Sequence, residues 1–156
     1  MMKGFYTLKN PNKYIQSDNS MNAQLSENLL SLLNNTPEYR SGWELQFFTF
    51  CDTNPKVQEW SAEPFAIPYY NPIKKKQSRY FPDVYMKYNN KKFLIEIKPK
   101  SQIPGNPSTS PYDIASQKIN EQKFKEAEKF CQKNGWKFVV LSDDFFNDNK
   151  GNNKIF

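Results

Sequence analysis

The clearest helical pattern in the chain lies in residues 38–52, where apolar side chains recur at intervals of three and four. Those that fall on one stripe are Trp43, Phe47, Phe50 and Cys51. Ser41 and Glu44 have the spacing of a capping box, in which Ser41 would be the N-cap of the helix. The pattern therefore predicts a helix that packs this stripe against a core.

Between this helix and a second one, the pattern is typical of short β-strands. Strands are predicted over 57–60, 65–70, 81–88, 91–98 and 136–141. The second helix is predicted over 111–134, after a Pro- and Ser-rich loop at 99–111, because Pro111 suits a first turn and Gly135 follows the end. The strand at 136–141 is nearly all apolar, which predicts burial on both faces. This order of elements predicts an α/β fold with one mixed β-sheet flanked by α-helices.

The two ends of the chain are more polar than its middle. Residues 1–36 are rich in Asn and Ser, which predicts an N-terminal arm with little structure of its own. A short Leu-rich helix over 23–33 is the exception, and it could dock on the domain or on a partner. The domain itself is expected to span 37–148, and 149–156 are expected to form a flexible tail.

A β-hairpin around Asn89-Asn90 carries the candidate chemistry, since Asn tolerates the positive φ that such turns need. If the turn has two residues, Asp83 lies directly opposite Glu96 on the same face of the hairpin. A four-residue turn keeps the faces but pairs Asp83 with Lys98, and a three-residue turn would separate them. Glu96 and Lys98 are two apart in one strand, so they share a face in each case.

Two facing carboxylates repel each other and raise a pKa unless a cation lies between them. The neighbours of these residues in that strand are apolar and should face the core: Phe93, Ile95 and Ile97. A hard divalent ion such as Mg²⁺ suits carboxylate oxygens and takes its other ligands from water and phosphate. Lys98 could then orient or deprotonate a water molecule. The alternative is a half-exposed hairpin, in which Glu96 and Lys98 form a surface ion pair worth less than about 1 kcal/mol.

Composition narrows the chemistry further. The chain has 156 residues and no histidine, which excludes Ser-His-Asp and Cys-His catalysis and His-ligated zinc within it. Cys51 and Cys131 lie in apolar, helical contexts and are expected to be reduced core residues. The formal net charge of +6 favours an anionic partner such as DNA, although a basic excess can also serve solubility. No apolar run is long enough to span a membrane.

Cations cluster just before the hairpin, in a predicted loop over 71–79. They are Lys74, Lys75, Lys76 and Arg79. Such a loop could clamp DNA phosphates, or it could simply be solvated. Lys100 lies just beyond the hairpin and could touch phosphate as well.

Several strings along the chain resemble those of known nucleases. Phe-Pro-Asp at 81–83 and Ile-Glu-Ile-Lys-Pro at 95–99 resemble the PD-(D/E)xK nuclease signature. Together with Tyr-Arg-Ser-Gly-Trp-Glu at 39–44 and Arg-Tyr at 79–80, they resemble the head completion nucleases of T-even-like tailed phages. A similar layout, with the later helix and Gly-Trp-Lys-Phe at 135–138, occurs in the endonuclease subunit of heteromeric cut-and-paste transposases.

The resemblance implies a restriction-endonuclease-like core and a Mg²⁺-dependent endonuclease that hydrolyses double-stranded DNA, with Mn²⁺ as a substitute ion. By the same resemblance, Asp83 and Glu96 would bind the metal and Lys98 would assist the water. Glu44 would be an auxiliary ligand or base, unless it only stabilises the start of its helix.

The phage family implies a role in completing DNA-filled heads before the tail joins. That role would be exercised in the cytoplasm of the infected bacterial host or at the virion neck, with portal or neck proteins contacted through the N-terminal arm. Two alternatives stay open. The chain could be a structural neck or head-completion protein whose nuclease site is vestigial, or a transposase endonuclease subunit that needs a partner recombinase to place its cut.

Overall fold

The computed structural model describes residues 2–16, 36–147 and 156. Within these ranges the strands are β1 (Gly4–Phe5), β2 (Glu38–Tyr39), β3 (Val57–Ala62), β4 (Ile67–Asn71), β5 (Lys76–Tyr80), β6 (Val84–Tyr88), β7 (Lys91–Ile97) and β8 (Lys137–Leu141). The helices are α1 (Gly42–Thr53), α2 (Pro111–Asn134) and α3 (Asp143–Asn147), with short 3₁₀ turns at Pro11–Lys13 and Lys100–Gln102.

A mixed sheet of four strands, in the order β3-β6-β7-β8, is the centre of the fold. The neighbours β3, β6 and β7 are antiparallel, whereas β7 and β8 are parallel. Helix α2 connects these two parallel strands and packs on both of them. This arrangement confirms the predicted α/β fold with a mixed sheet flanked by helices.

The two faces of this sheet carry separate cores. Phe93, Ile95 and Ile97 of β7 point into the larger core, as predicted, where α1 and α3 contribute several phenylalanines. Leu94 points to the opposite face, because side chains alternate along a strand. The smaller core on this Leu94 face is completed by α2 and the β4–β5 hairpin: Ile67, Tyr69, Tyr80, Ala127 and Cys131. Glu96 is two residues after Leu94 in β7, so its side chain points to the same face, called here the Leu94 face.

The first helix begins later than predicted. Helix α1 begins at Gly42, after the N-cap Ser41, whose Oγ accepts a hydrogen bond from the backbone N–H of Glu44 at 3.1 Å. The predicted N-cap is therefore confirmed. The prediction of helix over 38–41 is wrong, because β2 in that segment pairs with β1 at the start of the chain.

The predicted basic loop over 71–79 is also wrong, because most of it belongs to the β4–β5 hairpin. The two strands pair along their whole length. Lys75 has a φ of 54°, within the turn between them. Strand β4 buries every second residue and contacts α2. Packing on α2, rather than the polar sequence of β5, therefore holds this hairpin in place.

Residues 2–16 have more structure than the sequence predicted for the arm. The buried carboxylate of Asp52 accepts hydrogen bonds from the Tyr6 hydroxyl at 2.7 Å and from the backbone N–H groups of Lys9 at 2.8 Å and Asn10 at 3.0 Å. Buried hydrogen bonds to a charged acceptor are among the stronger polar interactions in a protein. They attach the beginning of the chain to α1.

The last residue also packs on the body of the protein. The ring centroid of Phe156 lies 5.2 Å from that of Phe93, at the edge of the larger core. The predicted Leu-rich helix over 23–33 and the tail over 149–155 lie outside the described residues. The division of the chain into arm, domain and tail therefore stays a prediction.

Helix α2 has the predicted bounds, and Gly135 ends it in the left-handed conformation. Strand β8 is not buried on both faces as predicted. It is the edge strand of the sheet, so residues 138–140 are only half-buried. Cys51 and Cys131 are free and buried, as predicted. In the part of the chain that the structure describes, no helix is long and apolar enough to cross a membrane.

Candidate active site

The predicted hairpin turn and its register are confirmed. The Asn-Asn turn has positive φ at both positions, 49° and 67°. Strands β6 and β7 pair in the register of a two-residue turn, up to Val84 opposite Ile95. Asp83 comes directly before Val84, and Glu96 directly follows Ile95. The same register therefore brings Asp83 opposite Glu96.

Asp83 is attached to β7 by a hydrogen bond, in which its Oδ2 accepts from the backbone N–H of Ile97 at 2.7 Å. Burial raises the pKa of the Asp83 carboxyl well above its ordinary value, and the neighbouring Glu96 raises it further. The Ile97 hydrogen bond and the Lys98 ammonium lower this pKa, but by less. Asp83 and Glu96 thus form a close carboxyl pair that is short of compensating positive charge.

Glu96 is the buried member of this carboxyl pair. It is 2% exposed, and its Oε1 has no hydrogen-bond partner among the described residues. Burial raises the pKa of Tyr80 well above its usual range, and interactions with the nearby Glu96 and Asp83 carboxylates raise it further. A buried carboxylate oxygen without a donor costs free energy. A bound cation would satisfy it.

The carboxyl pair fits a hard divalent cation. Opposed carboxylates, one of them with an unsatisfied buried oxygen, are the donor type that Mg²⁺ prefers. Among the described residues, no group of three or more Cys, Asp or Glu side chains has the spacing of a complete metal site. The protein would therefore supply two carboxylates, and Mg²⁺ commonly completes its coordination with water and substrate phosphate.

Glu44 lies in the first turn of α1, where it is influenced by the charge of Asp83. Burial and, to a smaller extent, the charge of Asp83 raise the pKa of Glu44 to about 7, against the lowering effect of Arg40. Arg40 itself is paired with Glu63 at 2.6 Å. The Ser41 hydroxyl donates a hydrogen bond to Glu44 Oε2 at 3.4 Å, whereas the return bond of a capping box would come from the Ser41 backbone N–H. The charge of Asp83 therefore acts on Glu44, but among the described residues Glu44 forms no three-carboxylate metal group with Asp83 and Glu96, and its role in the site stays a prediction.

Lys98 and Lys100 lie in different surroundings. Lys98 follows β7 and is half-buried, and its charge acts on Asp83. Lys100 is exposed, and its Nζ forms an ion pair with Asp144 of α3 at 2.8 Å. Its backbone N–H donates to Asp143 at 2.9 Å. Of these two lysines, Lys98 is the one near the carboxyl pair, whereas Lys100 is engaged with α3.

The other cations predicted to bind DNA project from the β4–β5 hairpin. Lys74, Lys75 and Lys76 lie at or beside its turn and are exposed. Arg79 lies near the base of the hairpin, and its guanidinium is 5.2 Å from the centroid of the Phe81 ring. Because the hairpin covers part of the Leu94 face, its cations border the face that carries the carboxyl pair.

Helix α2 brings to this face a residue that sequence reasoning missed. The Lys123 ammonium lies 5.6 Å from the ring centroid of Tyr69 and 5.5 Å from that of Tyr80. A signal was present in the helical period. Four residues follow one stripe of α2: Asn120, Lys123, Ala127 and Cys131. Lys123 is thus a charged residue on the face of α2 that is otherwise buried, where an apolar side chain is expected.

Comparison with known proteins agrees with this geometry. Residues 54–143 match the family described as TnsA-like endonuclease N terminal. This chain belongs to that family. The TnsA-like chain is also 36% identical over 117 residues to the head completion nuclease of Enterobacteria phage T4, in an alignment that covers 68% of this chain and 78% of that protein. The TnsA-like family and the T4 head completion nuclease both belong to the restriction-endonuclease-like PD-(D/E)xK superfamily. The chain is therefore a DNA nuclease, which is a hydrolase.

Nucleases of this type generally depend on a divalent metal, which agrees with the carboxyl pair. The segment that matches the TnsA-like family contains Asp83, Glu96 and Lys98, and it begins after Glu44. The family resemblance inferred from the sequence is thereby confirmed. The roles of the individual residues stay predictions.

Proposed function

We propose that this TnsA-like chain is a Mg²⁺-dependent endonuclease that hydrolyses double-stranded DNA at the Asp83–Glu96 pair. One observation carries the proposal: Glu96 Oε1 is buried without a hydrogen-bond partner among the described residues, opposite a second carboxyl group. Such a pair costs folding free energy unless a cation binds it. Mn²⁺ is expected to substitute, since carboxylate and water ligands suit it as well.

Each of the four site residues would have a distinct task. Asp83 and Glu96 would hold Mg²⁺, which when bound polarises a phosphoryl oxygen and lowers the pKa of water. Lys98, on the same face, would donate a hydrogen bond to the attacking water or to a phosphate oxygen. Glu44, whose pKa is raised to about 7 by burial and Asp83, is suited to accept a proton from water near neutral pH.

The β4–β5 hairpin would contact the DNA backbone beside the cut. Its cations are Lys74, Lys75, Lys76 and Arg79, and contacts of this kind position a duplex without reading its sequence. Cleavage is therefore expected to be non-specific or selective for DNA structure. Lys100 would contribute only by leaving its ion pair with Asp144.

Similarity to a phage head completion nuclease supports the same biological setting for this chain. The enzyme would act in the cytoplasm of an infected bacterium, before head and tail join, and would meet portal or neck proteins there. Residues 2–16 are held by Asp52, so the docking role proposed for the arm falls to residues 17–35. Serine at Leu25, Leu29 and Leu30 should then abolish head completion and spare cleavage by the purified protein.

The match to the TnsA-like family favours a second candidate function, an endonuclease subunit whose cut is placed by a partner recombinase. Such a chain would bind DNA alone and cut it only with its partner. The presence of Asp83, Glu96 and Lys98 together argues against the third possibility, a structural neck protein with a vestigial site.

Plasmid cleavage by the purified protein tests the proposed function. We expect nicking with Mg²⁺ or Mn²⁺, none with EDTA, and none by Asp83→Ala or Glu96→Ala. Glu121→Ala is the matched control, because this carboxylate is exposed on α2 and should be dispensable. Full activity in both folded site variants would overturn the assignment. Wild-type protein that binds DNA but never cuts it would favour the partner-dependent subunit.

A further inference from the structure

Lys123 packs on the ring of Tyr80, whose hydroxyl interacts with Glu96, but it has no part in the function proposed above. The charged groups that act on it are Lys98, Glu96 and Asp83, and no other charged group changes its pKa appreciably. Burial is the largest influence, so the lysine enters the fold rather than pointing into solvent. Helix α2 thus contributes a cation to a site otherwise built from β-strands and α1.

The Lys123 ammonium has no acceptor within the described residues, where it makes no ion pair and no hydrogen bond. Other lysines of this fold do find carboxylates, as Lys100 does with Asp144 and Lys129 with Glu126. A half-buried ammonium without an acceptor is costly. Its position over two tyrosine rings offsets part of that cost but satisfies none of its three N–H donors.

The charges of the site explain what would satisfy these donors. A divalent cation on Asp83 and Glu96 would neutralise both carboxylates. Lys98 and Lys123 would then be two neighbouring ammonium groups with no counter-charge. A phosphate group drawn to the same cation carries oxygens for both lysines, and its negative charge removes their mutual repulsion.

We propose that Lys123 is a second phosphate-binding residue of the site, which holds the DNA backbone together with Lys98. The proposal rests on the function proposed above, because it takes the phosphate to be that of DNA at the carboxyl pair. Tyr69 and Tyr80 are positioning residues, since their rings hold the Lys123 side chain between α2 and the β4–β5 hairpin. The phosphate would therefore be bound by Lys123 of α2 as well as by Lys98, which follows β7 of the sheet.

The test separates the charge of Lys123 from its packing. Lys123→Met keeps a long apolar stem against the tyrosines and removes the charge, whereas Lys123→Arg keeps the charge. Lys125→Met is the matched control, because Lys125 is exposed on the opposite side of α2. Binding to a short DNA duplex is measured by fluorescence anisotropy over a range of salt concentrations. Ca²⁺ replaces Mg²⁺, since it has the same charge and a looser coordination geometry.

We expect Lys123→Met to weaken binding about 10-fold or more, as the loss of a charge-assisted hydrogen bond does. The slope of log affinity against log salt should become shallower by about 0.9, the value for one phosphate contact. Lys123→Arg should keep most of the affinity, and Lys125→Met should match the wild type. With Mg²⁺, kcat/KM of Lys123→Met should fall by at least the same factor.

Two results would overturn the proposal for Lys123. One is a Lys123→Met variant that binds and cleaves as the wild type does. The other is weaker binding with an unchanged salt slope and a lower Tm, which would show that Lys123 serves only the packing of α2. Failure of the proposed function looks different. Wild-type protein would then not cut DNA, although the Lys123→Met substitution would still change the salt slope.

Discussion

Replacing Asp83 should make the protein more stable while it destroys the site. Asp83→Asn keeps an oxygen that can accept the 2.7 Å hydrogen bond from Ile97, and it removes one of the two facing charges. In metal-free buffer at pH 8 we therefore expect the variant to be harder to unfold than the wild type. The same variant should not cleave DNA.

The size of this gain follows from the geometry of the pair. Two charges about 5 Å apart, the separation of opposed side chains, repel by about 3 kcal/mol at an effective dielectric constant of about 20. Lys98 offsets part of this repulsion, and proton uptake relieves another part, because the pKa of Asp83 is raised by burial and by Glu96. A net gain of about 1–2 kcal/mol would raise Tm by roughly 2–8 °C in a domain of this size.

Thermal unfolding followed by circular dichroism, with EDTA or with Mg²⁺, measures the effect. An acid whose pKa is raised by folding destabilises the fold increasingly as the pH rises above its unfolded pKa. The advantage of Asp83→Asn should therefore be largest at pH 8 and should vanish towards the ordinary aspartate pKa of 3.8. Mg²⁺ should stabilise the wild type and should do so far less for the variant, since a ligand stabilises only a state that binds it.

Asp52→Asn is the matched control for this experiment. Asp52 is fully buried, and its carboxylate accepts three hydrogen bonds. Its substitution should cost about 2–4 kcal/mol, because hydrogen bonds to a charged group are each worth about 1.5–3 kcal/mol. An Asp83→Asn variant that is less stable than the wild type in EDTA at pH 8 would refute the reasoning about the pair.

Three further predictions concern the other site residues. Glu44→Gln should remove a loss of stability that the wild type shows as pH rises from 4.5 to about 7, because burial and Asp83 raise the pKa of Glu44 over that range. Urea unfolding of both proteins across this pH range measures the difference, and the prediction fails if the wild type and Glu44→Gln have the same dependence of stability on pH. Lys98→Ala should lower kcat about 100-fold or more and weaken DNA binding far less, as cleavage and filter-binding assays compare. Equal losses in both would make Lys98 a binding residue only. Glutamine at Lys74, Lys75 and Lys76 together should reduce the salt slope of binding by about 2–3 on every DNA sequence, and an unchanged slope would exclude the hairpin from the interface.

The parts of the site that follow from local rules could be predicted from the sequence. The Asn-Asn turn sets the register of β6 and β7, and the register alone brings Asp83 opposite Glu96. The N-cap Ser41 likewise determines where α1 begins, and with it the position of Glu44. In each case a few adjacent residues determine the geometry.

The parts that depend on contacts between distant segments could not be predicted. Strand β5 has no apolar alternation, and its hairpin is held by packing on α2. Residues 2–16 are attached through Asp52, a carboxylate whose burial nothing in its neighbourhood indicates. Lys123 contacts Tyr69 and Tyr80 only because α2 packs on the β4–β5 hairpin, a contact that the helical period of α2 does not specify.

The separation of the two cores has a consequence for how such a protein would evolve. Phe93 and Ile95 lie in the larger core, where a substitution by alanine costs about 2–5 kcal/mol. The opposite face carries the Asp83–Glu96 pair, and we expect the removal of one of its charges to relieve their repulsion. In a lineage no longer selected for cutting DNA, Asp83 and Glu96 would be among the first residues to change, and each change would leave the body intact or firmer. Descendants that keep this architecture without nuclease activity are therefore an expected outcome of its history.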